Sequence, residues 1–149
     1  MQGTLYAPVL GEVKDITTCS DDMMAQKMLG DGILVIPKNG KIVSPCDGEI
    51  FSVTKTKHAV SIVSDEGLEI LIHIGIDTVE LNGKGFKQYV QDGEHVKKGQ
   101  LLIEADFNMI KKSYDPSTMM IVLSKDCTLE KRNLNKRIFR QVEVIHYQS

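Results

Sequence analysis

Apolar residues recur along the chain in short runs separated by glycine, proline and small polar clusters, the pattern of many short strands joined by turns. The expected strands are Gly11 to Val13, Ile33 to Ile36, Glu49 to Val53, Ala59 to Val63, Glu69 to Ile74, Leu101 to Ala105, Met119 to Leu123 and Phe139 to His146. Helical signals are confined to two places. Asp22 to Leu29 has Ser20 or Asp21 as N-cap and Gly30 as stop, and Phe107 to Ser113 is closed by Asp115-Pro116. The fold expected is mainly β: an antiparallel β-sandwich of many short strands with one or two short helices. Ala7 to Val13 faintly repeats in Ser44 to Ile50, each a proline entry, a glycine turn and a strand, which suggests two related β units.

Composition narrows the picture. A chain of 149 residues with 42% apolar content suits one compact domain spanning 1–149. With 5% aromatic residues and no tryptophan, its core must come from Ile, Val, Leu and Met, many of them β-branched and at home in strands. Eighteen basic and 20 acidic residues, interspersed for a net charge of −2, give no broad positive field, so a nucleic-acid partner is not expected. The basic run from Lys125 to Arg140 reads as a solvated surface. Cys19, Cys46 and Cys127 are odd in number and widely spaced, which fits reduced thiols and not a disulfide framework or zinc knuckle. No signal-like start and no apolar stretch near the ~20 residues that span a bilayer are present, so a cytoplasmic protein without membrane insertion is expected.

The candidate chemistry lies on histidines. Within Glu69 to Gly75, alternation puts Ile70, Ile72 and Ile74 on the core face and Glu69, Leu71 and His73 on the other. Ser64-Asp65-Glu66-Gly67 is a hairpin signal between this strand and Ala59 to Val63. With a two- or four-residue loop, His58 falls directly opposite His73, its Cβ about 4.5–5.5 Å away, so the imidazoles can share a small ligand. A three-residue loop with a glycine bulge would shift the register by one and put them on opposite faces. The first register also sets Val60 opposite Leu71, an apolar rim suited to docking another macromolecule, and places the Thr56 hydroxyl where it can hold the His58 ring in one tautomer.

Paired histidines fit metal binding, acid–base work or covalent phosphoryl carriage. Zinc needs three or four ligands, and Asp77 is the one further ligand fixed by local spacing. Acid–base catalysis calls for a small-substrate pocket that no motif marks. Carriage needs a neutral nucleophilic nitrogen and an orienting neighbour, and an imidazole with a pKa of about 6.5 supplies the nitrogen. Two rivals follow from partial motifs. His73-x-x-x-Asp77 copies half of a lysostaphin-type zinc hydrolase's ligand set, but the later His-x-His pair is missing, since His95 and His146 stand alone. Asp92 to Leu101 faintly suggests a biotinyl or lipoyl carrier, but no Met-Lys-Met or Asp-Lys-Ala site occurs.

Gly67-Leu68-Glu69-Ile70-Leu71-Ile72-His73-Ile74-Gly75-Ile76-Asp77-Thr78-Val79 resembles the phosphorylation-site signature of glucose-type enzyme IIA domains of the bacterial sugar phosphotransferase system. Supporting similarity runs through Met28 to Gly32, Ser44 to Gly48, Thr56 to Ala59, Glu80 to Phe86 and the turn at Gly93 to Gly99, and covers about residues 5 to 125. The resemblance implies a β-sandwich of the duplicated hybrid motif type, with no cofactor and no metal. It implies that His73 accepts phosphate on Nε2 from the carrier protein HPr and passes it to a cysteine of a sugar-specific EIIB domain. His58 would stabilise the phosphoryl group, Thr56 would orient His58, and Asp31 and Asp77 would be the flanking acidic pair that engages HPr. Ile33, Val60 and Leu71 are the residues expected on the partner-binding face. After Leu123 the chain departs from the family's glycine-rich turns, so its last strands are not defined by the resemblance.

Overall fold

The computed structural model describes all residues, 1–149. Every strand pairing is antiparallel, and the strands form one large and two small sheets. Numbered in chain order, the large sheet runs β13 (Arg137–Ile138), β2 (Gly11–Asp15), β3 (Asp31–Pro37), β11 (Thr118–Val122), β7 (Glu69–Ile74), β6 (Ala59–Ser64), β5 (Gly48–Val53) and β9 (His95–Val96). The small sheets are β1 (Gln2–Tyr6), β14 (Glu143–Gln148), β12 (Thr128–Lys131) and β4 (Lys41–Val43), β10 (Leu101–Ala105), β8 (Phe86–Gln88).

Alternation in the central strands builds two apolar layers. Ile70, Ile72 and Ile74 of β7, with Ile33 and Val35 of β3 and Met120 and Val122 of β11, face the main core. There they meet Leu5, Val144, Ile145, Leu102 and Ile103 from the smaller sheets. On the opposite face, Leu34, Met119 and Ile121 form a second, smaller cluster with Ile16 and Cys19. Leu71, Met24 and Ile76 pack against that cluster, so the outer face of β7 is roofed by the segment after β2.

Both expected helices are present but short, α1 at Asp22–Ala25 and α2 at Phe107–Ile110, capped by the side chains of Asp21 and Asp106. The first ends well before Gly30 because Lys27 takes a left-handed conformation, φ 61°, and breaks the turn. The strand expected over Phe139 to His146 begins only at Glu143. Phe139 is exposed, and the pairing just before it is the two-residue β13 at the sheet edge. Both copies of the proline-entry repeat lead into a strand at the glycine, β2 at Gly11 and β5 at Gly48. No helix is long and apolar enough to cross a membrane.

Candidate functional site

The hairpin register differs from the one that set His58 opposite His73. The Ser64 N–H donates to the Leu68 carbonyl at 2.9 Å, which leaves Asp65, Glu66 and Gly67 as a three-residue loop with Gly67 at φ +94°. A turn of that length takes a glycine in positive φ and moves every partner by one. Ala59, not His58, therefore pairs with His73, and Val60 pairs with Ile72, not Leu71. The imidazoles nevertheless meet, because His58 lies just outside the strand, where alternation no longer holds. Lys57 at φ 61° turns the chain there, and the His58 carbonyl accepts the Ile74 N–H at 2.7 Å. The ring centroids are 5.0 Å apart with planes at 80°.

Each ring is held from behind. His73 Nδ1 lies 2.8 Å from the Gly75 carbonyl oxygen. A carbonyl only accepts, so Nδ1 carries the proton and Nε2 keeps its lone pair. His58 Nδ1 lies 2.7 Å from the Thr56 hydroxyl, with Thr54 Oγ1 farther off at 3.4 Å. Thr56 thus meets the His58 ring, but from the turn at Lys57 and not through the strand register expected to bring them together. Burial pushes the His73 pKa below the ordinary 6.5, against opposing contributions from the Gly75 hydrogen bond and the carboxylates of Asp21 and Asp77. Burial and the neighbouring His73 lower that of His58 as well. At neutral pH both rings are uncharged, which makes His73 Nε2 a nucleophile and the pair a site for an anionic group.

The depressed values have a stability consequence. Unfolded histidines bind a proton near pH 6.5 while the folded ones resist it, so the contribution is complete above about 6.5 and is lost as pH falls through the folded values. Urea unfolding is therefore expected to show stability falling from about pH 7.5 to 5.5, with a smaller fall in a His58→Gln/His73→Gln double variant.

The anchor of His73 depends on its loop. Gly75 has φ +75°, and a Cβ there would come within 2.5 Å of Thr78 Cγ2. The fully buried Thr78 in turn donates its hydroxyl to the Ile74 carbonyl at 2.5 Å. Gly75→Ala should cost about 1–3 kcal/mol in urea unfolding, since it adds backbone strain to that clash. It should also free the His73 ring to exchange tautomers, which ring nitrogen chemical shifts would report.

Other expected site residues lie elsewhere. Asp31 is level with Val122 and Ile70, three residues along and two strands across from His73, roughly 14 Å away by strand spacing. Its carboxylate is engaged by Lys131 at 2.6 Å and Lys27 at 3.6 Å. The carboxylates that act on His73 are Asp21 and Asp77. Asp77, at φ 61°, opens the 3-10 turn Thr78–Leu81. Val60 and Ile33 are completely buried in the main core and form no rim. The one-residue register shift turns Val60 inward, and Ile33 shares the inner face with Val35 because Leu34 faces out. Leu71 stays on the outer face, partly buried against Met119 and Ile121. Exposed apolar side chains occur instead beside the acidic pair, at Met23 and Val79. Among the thiols, Cys46 is buried and pushed up to about 12, out of nucleophilic range.

A family model described as phosphoenolpyruvate-dependent sugar phosphotransferase system, EIIA 1, matches residues 3–128. The chain is 46% identical over 131 residues to the glucose-specific EIICBA component of Staphylococcus saprophyticus, covering 88% of this chain and 19% of that protein. It is 48% identical over 109 residues to the glucosamine-specific EIICBA component of Bacillus subtilis, covering 73% of this chain and 17% of that protein. The chain thus spans about a fifth of the length of these curated relatives. Among solved structures, the glucose permease IIA from Mycoplasma capricolum superposes with a TM-score of 0.88 at 30% identity, over 98% of this chain and 96% of the other.

Proposed function

The chain belongs to the EIIA 1 family of the phosphoenolpyruvate-dependent sugar phosphotransferase system, and from that premise we propose that it is a phosphoryl carrier charged on His73 by phospho-HPr and discharged to a cysteine of a sugar-specific EIIB domain. The observation that carries this reading is the His73 Nδ1 hydrogen bond to the Gly75 carbonyl, which leaves Nε2 as the free nucleophile beside a second neutral imidazole.

The transfer is an in-line displacement. The Nε2 lone pair of His73 attacks phosphorus while the P–N bond to the donor imidazole breaks, and the donor ring leaves with the electron pair. His58 stabilises the equatorial oxygens. The Thr56 hydroxyl lies 2.7 Å from its Nδ1, and in the tautomer where that hydroxyl donates, Nε2–H is the donor left for the phosphoryl oxygens. In the second step a cysteine thiolate attacks the phosphoryl group as the P–N bond to His73 breaks; its electron pair returns to Nε2, and the neutral ring with Nδ1 still protonated toward Gly75 is restored. Asp77 and Asp21 flank the site with negative charge suited to a basic donor protein, and exposed Met23 and Val79 supply apolar contact beside them. Two partners must reach His73 in turn, and its ring, near the end of β7 beside the roofing segment, is only partly buried. The EIIB acceptor is suggested by relatives named as EIICBA components.

Incubation with phosphoenolpyruvate, enzyme I and HPr tests the reading. The protein should acquire phosphate that is labile in acid and stable in alkali, and a wild-type protein that stays unlabelled would refute it.

A further inference from the structure

Two chain segments bring charge to His73, one ending in Asp21 and the other in Asp77, and a single residue outside both joins them. The Asp115 carbonyl accepts the Ile76 N–H at 2.9 Å, and the neighbouring Ser117 carbonyl accepts the Gly75 N–H at 3.0 Å, so the loop that anchors His73 is pinned to residues 115–117. The Asp115 carboxylate divides its oxygens. Oδ1 accepts the Ser117 N–H at 2.9 Å, and Oδ2 accepts the Ser20 hydroxyl at 2.7 Å. Ser20 immediately precedes Asp21, whose own carboxylate caps α1 through the Met24 N–H at 3.2 Å.

Between residues 19 and 26 every other hydrogen bond is local, so the Ser20–Asp115 bond is the one that ties this segment to the rest of the protein. Cys19 and Met24 pack on the small cluster beneath, which fixes height above the sheet but has no directional hold on a charged side chain. The Asp115 carboxyl is itself below the usual carboxylate range. Burial opposes that shift, and the hydrogen bonds from Ser117 and Ser20 override it. The acceptor is thus ionised at neutral pH, and its bond to Ser20 is of the stronger, charge-assisted kind.

We propose that Asp115 is a positioning residue of the phosphoryl-transfer site: it clasps Ser20 with its carboxylate and the His73 loop with its carbonyl, and so fixes the Asp21 charge beside the imidazole. A carboxylate at a fixed place there raises the basicity of the nucleophile before transfer and repels the phosphoryl dianion after it, so the group remains ready to leave. Asp115 needs no contact with phosphate for this role, which acts through Ser20. Its use in transfer rests on His73 being the carrier, but the placement of charge is measurable without any phosphorylation.

The test is a pH titration of the His73 ring nitrogens by NMR in wild type, Ser20→Ala, Asp21→Asn and the double variant; the other titratable groups facing the ring, His58 and Asp77, are unchanged in all four. Asparagine at 21 keeps the helix cap while removing the charge. Ser20→Ala should lower the His73 pKa by a few tenths of a unit, in the same direction as Asp21→Asn, and should have no further effect in the Asp21→Asn background. Ser20→Thr, which keeps the hydroxyl, should restore the wild-type value. An unchanged His73 pKa in Ser20→Ala, or a shift that persists in the Asp21→Asn background, would overturn the proposal. A protein that shows this pattern but takes no phosphate would refute the carrier reading alone; one that is phosphorylated without the pattern would refute the clasp alone.

Discussion

His73→Ala is expected to abolish phosphoryl acceptance from HPr, with no residual label within detection, while the protein remains folded. The loss is total because the substitution removes the bond-forming atom, not a stabilising neighbour. No other nucleophile stands in its place. His58 presents its ring to His73 from a turn, His95 and His146 lie on other strands in pairs with Asp65 and Glu143, and the Cys46 thiol is buried with a pKa near 12. Folding should survive because the His73 side chain lies on the outer face of β7, whereas the main core uses Ile70, Ile72 and Ile74. Labelling alongside circular dichroism measures both halves of this expectation. Wild-type labelling of the alanine variant would assign the chemistry to another residue.

His58→Gln should separate the two halves of the reaction: acceptance from HPr continues, and donation to the EIIB cysteine slows by roughly 10²–10³-fold, the usual cost of losing one preorganised stabilising group at a developing charge. The asymmetry follows from the nucleophiles. In acceptance a neutral imidazole attacks the phosphoryl group, and a glutamine amide still provides a hydrogen bond to its oxygens. In donation an anionic thiolate must approach the same dianionic group. An imidazole can take up a proton as that charge builds, and an amide cannot. Single-turnover transfer from pre-phosphorylated protein to EIIB isolates this step. Donation at the wild-type rate would remove His58 from its assigned role.

Local pattern carried much of the fold. β7 matches its expected span at both ends because strict alternation, a glycine after it and a hairpin signal before it all agree. β10 does so as well. What failed did so where a single residue's backbone decides. A positive φ at Gly67 makes the hairpin loop three residues long, and that one position moves Val60 from a supposed surface to the core. Lys27 cuts α1 to a single turn by the same kind of departure, which lysine gives no reason to anticipate. The histidine pairing came through for a different reason than alternation suggested: His58 reaches His73 from a turn, outside the ladder whose register would have separated them.

The acidic partners mark a second limit. Asp21 caps α1 and Asp31 enters β3 between two glycines, and neither local setting says which carboxylate faces the histidines. Their fates are set by Lys131, which sits a hundred residues away in the divergent C-terminal part and engages Asp31, and by Ser20 and Asp115, 95 residues apart, which hold the segment bearing Asp21. Long-range hydrogen bonds between polar side chains leave no periodic trace in a sequence, so the clasp around the site could be read only from three dimensions.

Nitrogen–phosphorus coupling in the NMR spectrum of the phosphorylated, ¹⁵N-histidine-labelled protein tests the central claim most directly. Coupling of a single ³¹P resonance to Nε2 of His73, with Nδ1 still protonated toward Gly75, is the result expected. Phosphorus coupled to Nδ1 of His73, or to any nitrogen of His58, would contradict the account.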